Sequence, residues 1–348
     1  MPLAAALDLV PLFTRGLELS AVKPDETVAI YTENGVRRHY ADAFVAAAEA
    51  LGASAFVVDV PVPSQRVTEL STWGRTRGLG ALPPVVEAFK GCDLLVDLVM
   101  LLFNPAKIAI QESGTRILTC IEPSDTIERL FPEAHYREEA REGQQLLARA
   151  SSLRVRSAAG TDLTYRLGER RAMCQYGCAD EPGRWDHFAS AFVLTAANDD
   201  GVDGTVVFDV GDIITPYIHH VREPVTCTIE AGHIVRVEGG LEAMLMRDQL
   251  SRFDRDATAV SHIGWGLHAG ARWDSLKVEP AQVGLDPRSY RGSVMFSTGP
   301  NNEFGGTNSS PCHFDMPMRN CSLWVDDELI VDAGMIVDRV SASGGTRG

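Results

Sequence analysis

The 348-residue chain is 45% hydrophobic and 23% charged, with 31 Gly, 18 Pro and 7% aromatic residues, a composition that excludes collagen, coiled coil and low-complexity disorder. At this length a single hydrophobic core usually stops growing, so two domains, or one large core with an appendage, are expected. Thirty-two basic residues against 47 acidic ones give a net charge of -15, which repels phosphate backbones and anionic bilayers and argues against nucleic-acid or membrane partners.

The first segment, MPLAAALDLVPLF, lacks a basic n-region and carries Asp8 among its apolar residues, which predicts no secretory signal and a cytoplasmic protein. Glu26 to Tyr31 and Ala55 to Val60 read as buried strands around an Ala-rich helix, Ala41 to Leu51, a βαβ unit. The segment Gly74 to Gly80, GRTRGLG, lacks the spacing of a dinucleotide fingerprint and reads as a loop. Pro83-Pro84 opens a helix with Gly91 as its stop. The following DLLVDLVML is the most apolar run of the chain, but Asp97 breaks it and Asn104-Pro105 follows. A bilayer span needs roughly 20 apolar residues, so this run reads as a buried strand. IQESG leads into the strand RILTCIE, Pro123-Ser124 starts a short helix, and Arg137 to Ala150 is a charge-laced helix. The repeated βα alternation predicts a Rossmann-like parallel-sheet domain over residues 1–150.

From Leu153 the pattern changes to short strands and tight turns. Leu153 to Ser157 with Leu163 to Tyr165, Thr226 to Glu230 with Ile234 to Glu238, and Leu323 to Val325 with Leu329 to Val331 are hairpin signals. Thr205 to Val210 is a further strand and Leu241 to Phe253 a helix. Residues 151–340 are therefore expected to form a mixed, mostly antiparallel α+β domain, and 341–348 a frayed tail. Seven scattered cysteines, odd in number and without paired zinc-knuckle spacing even at Cys174 and Cys178, suit reduced thiols.

The chemistry concentrates in three places. In Pro311 to Pro317, PCHFDMP, an extended backbone puts His313 and Asp315 on one face, where an imidazole and a carboxylate reach one metal ion. H-x-D is common by chance. Its setting adds to it: Phe296 to Gly306, FSTGPNNEFGG, is dense in turn formers that let a ligand approach the backbone, and His262 in SHIGWG supplies a third donor. Two histidines and a carboxylate form the facial triad of mononuclear non-haem iron enzymes; the competing fate of His262 is a core histidine bonded to a backbone carbonyl. In Ala179 to His187, ADEPGRWDH, His187 reads as a proton carrier that Asp180 or Glu181 orients, or the run is a solvated loop of ion pairs with Arg184. His219-His220 reads as a surface or interface pair, and Asp209 and Asp212 as turn formers, with Asp212 a more distant metal-site contributor. No G-x-S-x-G elbow or P-loop occurs, which removes serine hydrolases and NTPases.

At these segments the sequence resembles the 2,5-dihydroxypyridine 5,6-dioxygenases. The stretches that carry the resemblance are LRVRS at 153–157, YGCADEPGRWDH at 176–187, DVGDII at 209–214, SHIGWGL at 261–267, FSTGPN at 296–301 and PCHFDMPMRNC at 311–321. The resemblance implies Fe(II) held by His262, His313 and Asp315, with His187 as the acid-base residue. Phe103, Gln175, Trp185 and Ser297 are implied as substrate contacts. It further implies a small N-heteroaromatic substrate and O2 as reactants, N-formylmaleamate as product, and a homo-oligomer, with a hexamer as the expected assembly. The chain departs from the family pattern where Phe103 replaces a histidine, in MLLFN, and where Gln175 and Cys178 replace a glutamate and a tyrosine, in CQYGC. These exchanges point to a shifted ring preference with the metal site kept. A fainter similarity to thermophilic-type metalloaminopeptidases suggests a metal-dependent hydrolase as the competing activity, but Met295 and His262 stand where a second metal would need a histidine and a glutamate, and a thioether is a poor ligand for a hard cation.

Overall fold

A computed structural model describes residues 9–62, 78–215, 219–278 and 284–337. Its first part runs α1 (Val10–Leu19), β1 (Thr27–Glu33), α2 (Arg38–Ala50), β2 (Ser54–Val60), α3 (Pro83–Lys90), β3 (Leu94–Asp97), α4 (Pro105–Glu112), β4 (Arg116–Thr119), α5 (Ser124–Arg129) and α6 (Ala134–Arg149). β3 and β4 are buried at every position, as expected of strands covered on both faces, and such strands pair in parallel. The predicted βαβ alternation is thus present. The loop expected at Gly74 to Gly80 lies largely outside the described residues, as does the 341–348 tail.

Two expected strands end early, and two helices were not anticipated. DLLVDLVML is a strand only to Asp97, because the Asp97 carboxylate accepts the N–H groups of Val99, Met100 and Leu101 at 2.7–2.9 Å and the Thr119 hydroxyl at 2.9 Å. Those bonds turn the chain out of the sheet. RILTCIE stops as a strand at Thr119. The helix α4 carries its own start signal, since Asn104 Oδ1 accepts the Ala106 N–H at 2.8 Å and Pro105 stands in the first turn. α1 begins in the segment weighed above as a signal peptide.

The second part supplies β5 (Ser152–Ser157), β6 (Asp162–Arg166), β7 (Met173–Gln175), β8 (Trp185–His187), β9 (Phe192–Ala196), β10 (Val202–Phe208), β11 (Ile213–Ile214), β12 (His219–His220), β13 (Val225–Glu230) and β14 (His233–Gly239). It continues with the helix Leu241–Leu250, β15 (Val260–Gly266), the short helix Leu285–Ser289, β16 (Val294–Thr298), β17 (Phe314–Met318), β18 (Cys321–Val325), β19 (Glu328–Asp332) and β20 (Met335–Ile336). Among the described residues the first sheet has the order β2-β1-β3-β4-β8, so its fifth strand comes from beyond residue 150. An antiparallel sheet β14-β13-β10-β6-β5-β18-β19-β20 contains the predicted hairpins. A smaller antiparallel sheet has the order β17-β16-β15-β9-β7.

The smaller sheet positions the site. Val193, Ile263, Trp265, Phe296, Phe314 and Met316 enter one apolar core with Leu153, Val155, Leu163 and Tyr165 of the larger sheet. Strand alternation then sends their neighbours to the opposite face, where Gln175, Phe192, Leu194, His262, Met295 and Asp315 line a cavity. Its remaining wall comes from the carboxyl ends of the parallel strands, through Met100, Leu102 and Phe103 after β3 and Trp185 and His187 of β8, the usual place for ligands on such sheets. β15 and β9 lie so close that a Cβ on Gly264 would stand 1.8 Å from the Val193 carbonyl oxygen. Gly264→Ala is therefore expected to separate these strands and lower unfolding free energy by about 2–3 kcal/mol, measurable by urea denaturation; an unchanged midpoint contradicts the tight packing.

Candidate metal centre

His262 and Asp315 lie on strands that flank β16. Asp315 pairs with Ser297 in register. On the other side Val260 pairs with Thr298 but Ile263 with Phe296, so Ser261 and His262 form a bulge opposite Ser297. Such bulges re-aim a side chain. Ser297 stabilises this one: its Oγ accepts the His262 N–H at 2.7 Å and donates to the His262 carbonyl at 2.9 Å. It is not among the cavity-lining residues, so its hydroxyl, expected on the substrate, instead fixes the backbone of His262.

His313 precedes β17 and is held by the glycine-rich turn. Its Nδ1–H donates to the Thr298 carbonyl at 2.8 Å, which leaves the Nε2 lone pair facing inward. Gly299 has φ +104°, and a Cβ there would stand 2.0 Å from the Cys312 carbonyl oxygen. The expected close approach is therefore made by the chain's own Cys312-His313 backbone.

The three side chains converge. Asp315 Oδ1 lies 3.2 Å from His262 Nε2 and 3.1 Å from His313 Nε2, and all are buried. His313 Nε2 and Asp315 Oδ1 have no hydrogen-bond partner. Two ligands bonded at about 2.1 Å to one ion and set at right angles lie about 3.0 Å apart, so the donor spacing and the unpartnered lone pairs both fit a single cation. Among the described residues this is the one cluster of three or more metal-ligating side chains. Asp315 Oδ2 is engaged elsewhere, by Arg288 Nε at 2.8 Å and a second guanidinium nitrogen at 2.7 Å. Burial raises the pKa of Asp315, but its neighbours, the Arg288 guanidinium first among them, outweigh it and hold the carboxyl well below the usual range. Burial is the larger influence on His262, which is pushed down.

His187 faces the same cavity. Its Nδ1 bonds Gln175 Oε1 at 2.7 Å, and its buried Nε2 has no hydrogen-bond partner. Burial, helped by Arg288 and Lys107, pushes its pKa down to about 3, so the imidazole is neutral and Nε2 is a proton acceptor. Gln175 thus takes the orienting role foreseen for Asp180 or Glu181. Those two carboxylates pair with Arg137 at 2.6 Å and Arg141 at 2.5 Å, Asp180 also lies 3.8 Å from Arg184 Nε, and Arg184 binds Asp186 at 2.5 Å while lying 3.6 Å over the Tyr176 ring. The run is an ion-paired brace behind β8.

Trp185 and Phe103 are walls. The Phe103 ring meets His313 edge-on at 4.7 Å, and Trp185 meets His187 at 4.9 Å. Arg288, Lys107 and Glu303 were not singled out from sequence: Arg288 and Glu303 line the cavity, and Lys107 binds Glu303 at 2.6 Å. Arg288 lies in LDPRS, where a surface loop is the ordinary reading, and only the Asp315 contact exposes its role. His219 lies 3.5 Å from Glu242 and His220 bonds the Trp273 carbonyl at 2.8 Å. Asp209 and Asp212 form a turn, in which Asp212 also accepts the Arg319 N–H at 2.9 Å; neither belongs to the metal-ligating cluster. The seven cysteines are free thiols, and no helix among the described residues is long and apolar enough to cross a membrane.

Residues 8–338 match the family described as 2,5-dihydroxypyridine 5,6-dioxygenase. The Pseudomonas putida protein of that name is 38% identical, over 97% of this chain and 98% of the relative. The solved structure of the 2,5-dihydroxypyridine dioxygenase from Pseudomonas putida superposes with a TM-score of 0.91 at 36% identity, covering 95% of this chain and 97% of that one. AmpT from Thermus thermophilus shares the fold, with a TM-score of 0.59 at 16% identity over 95% and 99% of the two chains.

The depressed pKa of His187 has a consequence for stability. Between about 3 and 6.5 the unfolded chain binds a proton at this position that the folded chain does not, so stability is complete above pH 6.5 and declines as pH falls toward 3. In metal-free protein, lowering pH from 6.5 to 4.5 should cost the wild type about 2–3 kcal/mol more than His187→Gln, at about 1.4 kcal/mol per unit. Denaturant titrations at both values check this; equal losses show that His187 is not held neutral.

Proposed function

The chain belongs to the 2,5-dihydroxypyridine 5,6-dioxygenase family, and from that premise we propose that it is an Fe(II)-dependent ring-cleaving dioxygenase. Its substrate is 2,5-dihydroxypyridine or a close hydroxylated relative, and both atoms of O2 enter the ring to give an opened product such as N-formylmaleamate. The observation that carries this reading is the convergence of His262 Nε2, His313 Nε2 and Asp315 Oδ1 beside an apolar cavity that also presents the His187 imidazole.

Fe(II) held by His262, His313 and Asp315 would supply an electron path between an electron-rich ring and O2. The chain does the rest. Arg288 fixes the rotation of the Asp315 carboxylate and keeps Oδ1 for the ion. Thr298 fixes the tautomer of His313, a supporting bond of the kind that raises ligand basicity. His187 Nε2 accepts the proton of a ring hydroxyl as substrate settles, and returns it as the opened product forms. Its low resting pKa means that it takes up the proton only when negative charge develops beside it. Phe103, Trp185, Leu102 and Phe304 exclude water and hold the ring plane.

The competing reading as an aminopeptidase-like hydrolase needs a second cation. Met295 lines the cavity, and its thioether offers no support for one.

Anaerobic loading with Fe(II), followed by oxygen-electrode assays over dihydroxypyridines, hydroxypicolinates and aminophenols, is expected to reveal stoichiometric O2 uptake with at least one ring. Peptide cleavage without O2 uptake reverses the assignment. His313→Ala should lose stoichiometric iron; wild-type iron content in that variant eliminates the proposed ligand set. His187→Ala should keep its iron while kcat falls by about 10²–10⁴, and an unchanged kcat removes His187 from the proton transfer.

A further inference from the structure

Glu303 lies on the short turn Asn302–Phe304 and lines the cavity. Its Oε1 receives two donors, Lys107 Nζ at 2.6 Å and the Phe103 N–H at 2.7 Å. Among the described residues no group bonds its other oxygen, Oε2. The turn is anchored by Arg171, whose Nε donates to the Glu303 carbonyl. The carboxylate is flanked by two aromatic residues in ring contact with the clustered histidines: Phe103 packs against His313, and Phe304 lies 5.6 Å from His262. Lys107 is fully buried and directs its ammonium between Glu303 and the face of Trp185, 3.1 Å from the ring centroid. The cation is thus neutralised behind the wall, so Glu303 lines the cavity with no net charge added.

We propose that Glu303 determines substrate specificity, its Oε2 accepting a hydrogen bond from the ring N–H of a pyridone. This deepens the reading of the chain as a hydroxypyridine dioxygenase and rests on it. A 2-hydroxypyridine in water is largely the pyridone tautomer, which carries an N–H donor on the ring edge. Catechols and N-alkylated rings have none there. A buried acceptor left without its donor is costly, which is how a polar group in a dry site rejects the analogue that lacks the matching atom. The apolar character of the other walls sharpens that penalty. Lys107 is a positioning residue: it fixes which oxygen turns toward the wall and which toward the ring.

Glu303→Gln tests this with little change in volume. Lys107 Nζ and the Phe103 N–H are both donors, so the amide oxygen takes the Oε1 position and the NH2 group turns into the cavity, donor facing donor. Binding of 2,5-dihydroxypyridine and of 5-hydroxy-1-methyl-2-pyridone to Fe(II)-treated protein under nitrogen, followed by tryptophan fluorescence, gives the preference for N–H over N–CH3. The wild type is expected to prefer N–H by about tenfold or more, and Glu303→Gln to bring the two rings within about threefold. Lys107→Met/Glu303→Leu, which removes both charges so that neither is left buried alone, should also lose the preference. Equal binding of the two rings by the wild type, no measurable binding of either, or a preference retained in Glu303→Gln or in the double variant overturns the proposal. O2 uptake is measured separately on the same proteins: discrimination that depends on Glu303 without O2 uptake keeps the pyridone subsite and removes the oxygenase reading.

Discussion

The site depends on keeping one carboxylate charged out of water. A buried carboxylate with no compensation gains a proton, and a protonated Asp315 would offer the metal no charge. Arg288 prevents this from one side while the two imidazoles face the other oxygen. Arg288 in turn rides on the segment Leu285–Ser289, whose Asp286 receives a two-pronged bond from Arg129 at 2.6 and 2.7 Å and whose Leu285 N–H donates to Glu122 at 2.8 Å. Arg129 and Glu122 belong to the parallel-sheet part of the chain. The charge at the centre is therefore held by alternating ion pairs that reach from one part of the chain to the other, so a change at Arg129 is coupled to Asp315 without touching it.

The same economy governs the backbone. The smaller sheet spends one face on the apolar core and the other on chemistry, and period-two alternation alone would leave Ser297 midway between His262 and Asp315 on that second face. A small side chain there leaves room for imidazole and carboxylate to meet over it. The bulge at Ser261-His262 tips the imidazole inward, and the Ser297 hydroxyl satisfies both backbone groups of His262. Gly299 brings Thr298 close enough to fix the His313 tautomer from behind. Bulge, serine and glycine each solve one part of bringing donors from separate strands to within about 3 Å.

Much of this was legible in the residues. Alternating βα runs and later hairpin signals mark the two sheet types, because strand burial and turn chemistry are local. The clustering of His262, His313 and Asp315 is legible because H-x-D in an extended segment states its own geometry, with His262 read from its segment SHIGWG and again from the family resemblance. What escaped is non-local. Asp97 shows its turn-making role only through N–H groups that fold back onto it, and it shortens a strand that hydropathy alone extends. Trp185–His187 joins the parallel sheet from beyond residue 150 through pairing with β4, a contact with no local signature. Arg288, Lys107 and Glu303 look like ordinary surface charges in a string of letters, and only their burial reveals them. The fate of ADEPGRWDH combines both of its readings: Asp180, Glu181 and Arg184 form the ion-paired brace, and His187 at its end reaches the cavity.

Charge bookkeeping around the cavity constrains the ligand it receives. Arg288 balances Asp315, Lys107 balances Glu303, and His187 is neutral with its proton on the side of Gln175. The walls therefore carry no net charge, and a divalent cation at the triad leaves the region positive. On the proposed function, a hydroxylated ring that arrives neutral and yields one proton to His187 would become an anion beside the cation, while the net charge of the region would stay unchanged because the proton is kept inside the cavity for later return. A cationic ring would raise the excess, and a ring already deprotonated in solution would leave His187 with nothing to accept. On that proposed function the arrangement suits a neutral, ionisable heteroaromatic ring that is activated after it has left water.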